Sequence, residues 1–134
     1  MYPDDIDPQS QCRLPLPRRD ELDAEGQRVY DSLADPQGGS LRGLRGPGGI
    51  HLHSPELARH TRPLNHYLRQ GAGLGGRLRE LAILVTAREL DSQFEWAAHE
   101  PEALRVGVPQ QVVDAIKLRE SSADIESPLA SSSS

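Results

Sequence analysis

The run "RLRELAILVTAREL", residues 77–90, constrains this chain most. Leu78, Leu81, Ala82, Leu84 and Val85 recur at helical spacing between charged ends, which predicts a largely buried helix. No stretch alternates apolar and polar residues as a half-buried strand would. The expected fold class is therefore all-α.

Other helices are marked by caps and breakers. Asp20 can cap a first helix in "RDELDAEGQRVYDSLADP", with Leu22, Val29, Tyr30 and Leu33 as its apolar stripe. Residues 36–50, rich in glycine and proline, read as a loop. Ser54 followed by Pro55 is a helix start, a hydroxyl cap before proline at the first helical position. That second helix extends to about Arg69, with a kink expected at Pro63. Gly71, Gly73 and Gly76 spell GxGxxG, but a helix precedes them where a dinucleotide site needs a strand, so they read as a hinge. A further helix begins at Ser92 and ends at Gly107, and a last one follows Pro109 with Val112, Val113 and Ile116. The expected organisation is an extended arm over residues 1–19, a helical domain over 20–119 and a disordered serine-rich tail over 120–134.

Several function classes are disfavoured by composition. A formal charge of -5 argues against a general nucleic-acid partner. No window approaches the roughly 20 apolar residues of a membrane helix, and the acidic start is unlike a signal peptide. A soluble cytoplasmic protein is the expectation. Cys12 is the one cysteine, so neither a CxxC pair nor a disulfide framework exists. His51, His53, His60, His66 and His99 form no H-x3-H or H-E-x-x-H pair, and no metal site is expected.

"SQFEWAAHEPEALRVG", residues 92–107, holds the candidate chemistry. Glu95 and His99 stand one turn apart on one helix face, among Phe94, Trp96, Ala97 and Ala98. Proton transfer to a carbon or an enolate oxygen needs such a pair working near neutral pH. Glu80, in the middle of the preceding apolar helix, either points outward or is buried with a partner, for which His99 is the natural candidate. A plainer reading competes: Ser92 and Glu95 match the S-x-x-E capping box, which explains Glu95 without catalysis.

Residues 77–116, with E-(x11)-S-x-x-E-x-x-x-H followed by Ala-Leu-x-x-Gly-Val, resemble the helical core of the carboxymuconolactone decarboxylase family, which also contains the alkylhydroperoxidase D enzymes. "RLPLPRRDELDAEGQRVYDSLA" and "GPGGIHLHSPELA" are similar to the leader and pocket loop of its decarboxylase-like members. The resemblance implies a small helical bundle of the alkylhydroperoxidase D-like type. In the peroxidase branch a glutamate precedes C-x-x-C-x-x-x-H. Here Glu80 and His99 match the ends of that relay, while Ser92 and Glu95 stand where the cysteines would be. Peroxide reduction of that type needs an attacking and a resolving thiol, so it is excluded.

The decarboxylase branch implies cofactor-free loss of CO2 from a small cyclic lactone or keto acid. His99 would donate the proton, Glu95 would orient it or exchange protons with it, and Glu80 would support it from behind. His53, Trp96 and Ser92 would line the substrate. The partners implied are a small-molecule substrate and further copies of the chain, as a trimer or hexamer. Family members normally continue with a second helical half, which a short serine-rich tail replaces here, so either packing between copies completes the core or the chain is a truncated or non-catalytic helical module of the family that oligomerises or binds small molecules.

Overall fold

The computed structural model describes residues 3–38 and 40–121, which form six α-helices and no β-strand. The all-α expectation holds. The chain divides into two compact units, Met1–Ala72 and Gly73–Ser134.

In the first unit, a 3-10 turn at Arg19–Glu21 precedes α1 (Ala24–Ala34). The cap is Asp23, whose carboxylate accepts from the Gly26 amide at 2.7 Å. Asp20, the residue expected there, instead pairs with Arg18 at 2.6 Å. Residues 36–50 are not wholly loop, because α2 (Pro47–His51) starts within them. Pro47 occupies its first position, where the missing N–H costs nothing and φ is already helical. Next comes α3 (Pro55–His66), which continues through Pro63 into a π-helical turn at Tyr67–Gly71. Ser54 takes the capping position without making the expected side-chain bond. Val29, Leu33, Leu52 and Ala58 form the core, with Leu16, Leu22, Tyr30 and Leu44 packed against it.

Among residues 3–19, Ser10 is fully buried, and its carbonyl accepts from the Gly46 amide at 2.7 Å. Tail residues beyond Ser121 lie outside the described set.

The second unit consists of α4 (Gly76–Glu89), α5 (Gln93–Arg105) and α6 (Gln110–Leu118). Leu84, Ala103, Val108 and Val113 form its core, with Leu81, Trp96, Val106, Val112 and Ile116 packed around them. Asp91, at φ 51°, reverses the chain between α4 and α5. Gly107, at φ 88°, does so between α5 and α6, a conformation that favours glycine. Gly71 ends the π-helical turn and Gly76 begins α4, so a helical element, and not a strand, precedes the glycines.

One expectation fails in α4. Glu80, Leu84 and Ala87 are buried, yet Leu78 is 58 % and Val85 52 % exposed. α4 is amphipathic within this unit because α5 and α6 cover one of its faces and leave the other bare.

Candidate functional site

α4 and α5 run side by side, so residues 19 apart in sequence meet in a dry place. Glu80 Oε2 lies 2.7 Å from His99 Nδ1, with the two side chains 0 % and 5 % exposed. A buried carboxylate is tolerable when its oxygens are satisfied by charged or strong donors. Arg79 supplies the second donor, its Nε reaching Glu80 Oε1 at 3.2 Å. In the tautomer that carries its hydrogen on Nδ1, His99 donates to Glu80 and the Nε2 edge of the ring is left for other work.

That edge faces Glu95. His99 Nε2 and Glu95 Oε2 are 3.6 Å apart across one helical turn, and Glu95 is 36 % exposed at the side chain. This distance exceeds a direct hydrogen bond. The capping-box geometry is not formed: Ser92 holds the capping position of α5 without a side-chain cap bond. A second turn of α5 brings further charge. Arg105 holds Glu102 in a two-pronged pair at 2.7 and 2.5 Å. Through that bond, and helped by the charges of Arg105, Arg79 and His99, the Glu102 carboxyl is held below its ordinary range.

The sequence-predicted residues are thus partly gathered. Glu80, Glu95 and His99 come together. Ser92, half-buried, begins their helix, and its amide donates to the Ala87 carbonyl at 2.8 Å. Trp96 follows Glu95 and packs on the apolar core, its indole Nε1 buried without a hydrogen-bond partner. The Lys117 ammonium lies 6.0 Å from its ring centroid and pairs with Glu100 at 3.2 Å. His53 belongs to the first unit, where its Nε2 lies 2.9 Å from the Pro15 carbonyl. Cys12 is in that unit too, its Sγ 3.4 Å from the Leu14 carbonyl.

Arg79 is the site residue that sequence reasoning missed. Adjacent residues on a helix diverge by about 100°, so nothing in the spacing pairs it with Glu80. No three histidine, cysteine or acidic side chains gather in a metal-holding arrangement among the described residues. No helix among them is long and apolar enough to cross a membrane.

A family model described as "Carboxymuconolactone decarboxylase family" matches residues 55–127. Searches of the curated proteins and of the solved structures give no match.

Proposed function

The chain belongs to the carboxymuconolactone decarboxylase family, and on that premise we propose that it is a cofactor-free lyase that decarboxylates a small cyclic lactone or keto acid. The observation that carries the reading is the buried His99 ring held between two carboxylates, Glu80 on Nδ1 and Glu95 beyond Nε2. In this reaction the bond between carbon and the departing carboxylate breaks, and its electron pair moves into the substrate carbonyl as an enolate. His99, protonated on both nitrogens, gives its Nε2 proton to the carbon that has lost CO2. Glu80, accepting from Nδ1–H, stabilises the charged ring and fixes its direction. Glu95, at the solvent-facing side, returns a proton to Nε2 for the next cycle. Ser92 and Trp96, on the same helix as His99, are proposed to contact the substrate.

Release of CO2 from a panel of lactone and keto acids, with wild type and His99→Gln side by side, tests the proposal. Release that disappears in His99→Gln supports it; no release from any acid, or equal release from both proteins, removes it.

A non-catalytic helical module is the second reading, and the half-exposed Leu78 and Val85 favour it, because such side chains suit association. Under either reading we infer that copies of the chain associate with one another.

A further inference from the structure

Arg79 belongs to the site by geometry, and the lyase reading gives it no task. Glu80 is fully buried, and its two oxygens have different partners: Oε2 lies 2.7 Å from His99 Nδ1 on α5, Oε1 3.2 Å from Arg79 Nε on its own helix. The terminal torsion of a glutamate is broad, so a single contact leaves the carboxyl able to turn about it. A donor on each oxygen removes that freedom. The imidazole has the same looseness in its own last torsion, and its direction follows from what Nδ1 meets.

The guanidinium is itself confined. Its side chain is 22 % exposed, and a Cβ added at Gly76, one turn earlier, would lie 3.9 Å from Arg79 Nη2 and 3.3 Å from Val106 Cγ1. Arg79 therefore lies where the start of α4 meets the end of α5. Across that junction its charge acts on Glu102 as well. After Arg105, which bonds Glu102, Arg79 is among the cations that hold that carboxyl below its ordinary range. One guanidinium thus serves a carboxyl group of each helix.

We propose that Arg79 is a positioning residue: it pins the Glu80 carboxyl so that Oε2 stays on His99 Nδ1 and the Nε2 edge stays turned toward Glu95. Arg79 touches no reacting atom in this scheme and acts through Glu80. The inference deepens the lyase reading, on which its effect on turnover rests; the ring orientation it requires does not depend on that reading.

Nuclear magnetic resonance of the isotope-labelled full chain tests it, because the ring nitrogen shifts of His99 tell which nitrogen carries hydrogen. In wild type, Nδ1 should carry a hydrogen and exchange it slowly with water. In folded Arg79→Gln that hydrogen should exchange faster by a factor on the order of 10, with helical circular dichroism unchanged. In CO2 release, kcat should fall by a factor on the order of 10 while KM holds, because Arg79 does not touch substrate. Slow exchange in Arg79→Gln, even beside a lower melting temperature, overturns the positioning role and leaves the lyase reading standing. Faster exchange with kcat unchanged overturns it as well, and so does a wild-type ring that carries its hydrogen on Nε2 alone. Faster exchange in a protein whose wild type releases no CO2 supports the positioning role and removes the lyase reading. Should Arg79→Gln fail to fold, the wild type decides: Arg79 Nε–H should exchange more slowly than that of exposed Arg77, and equal rates overturn the proposal.

Discussion

His99 Nδ1 lies 2.7 Å from Glu80 Oε2, and Glu80 reaches Arg79 with its other oxygen, so one buried carboxylate joins a helix neighbour to a residue of the next helix. Removing either end of such a buried arrangement leaves charge without compensation. Glu80→Gln should therefore lower the free energy of unfolding by about 3 kcal/mol. Urea titration checks this, and an unmoved midpoint would show that the pair contributes nothing to folding.

Glu95→Gln separates structure from chemistry. The side chain is partly exposed and makes no cap bond, so thermal stability should barely change. Turnover should fall by a factor on the order of 10² if Glu95 exchanges protons with His99. His99→Gln should lose a similar amount, and the double variant little more, since groups acting as one unit do not lose activity additively. Full turnover in Glu95→Gln would sink the assignment.

Glu102 gives a pH dependence of known sign. Its bond to Arg105 holds the folded-state carboxyl below the ordinary value, so the unfolded chain takes up this proton more readily. The stabilisation is complete above the ordinary carboxylate value and is lost as pH falls through the depressed one. Arg105 is 70 % exposed, and solvent screening limits the contribution to a few tenths of a kcal/mol, on the order of other surface pairs. Urea midpoints between about pH 3 and pH 6 should fall slightly less steeply with acidification in Glu102→Gln than in wild type.

Gly107→Ala tests the turn that brings α6 back onto the core. Space is no obstacle, since an added Cβ would come no closer than 3.8 Å to Arg77 Cδ. The φ of 88° is the obstacle, and the substitution should cost about 1 kcal/mol or more. An unchanged melting temperature would mean that the turn readily relaxes.

The helices of the second unit are legible in sequence because their apolar spacing and their breakers, Asp91 and Gly107, agree. The Glu80–His99 contact is legible for a related reason: a carboxylate inside an apolar helix needs a partner, and the next helix offers a histidine. Exposure of Leu78 and Val85 is not legible, since periodicity shows that a helix has an apolar side but not how many neighbours cover it. Asp23 takes the cap from Asp20 because the first turn closes as 3-10 helix and delays the α-helix, a choice made by local hydrogen bonding. The missing Ser54 and Ser92 cap bonds show the same limit: residue type marks a helix start without setting the rotamer.

Because α4 and α5 follow one another directly, the whole proton-handling group lies within the stretch from Arg79 to His99. The chain loop that must close to form it is short, and its entropic cost grows only slowly with length. A contact of such low sequence separation forms on the fast timescale of helix pairing. During refolding, the histidine environment should therefore reach its final state as soon as these two helices dock, ahead of any slower event in residues 3–71, so that acquisition of the site and completion of the fold are kinetically separable.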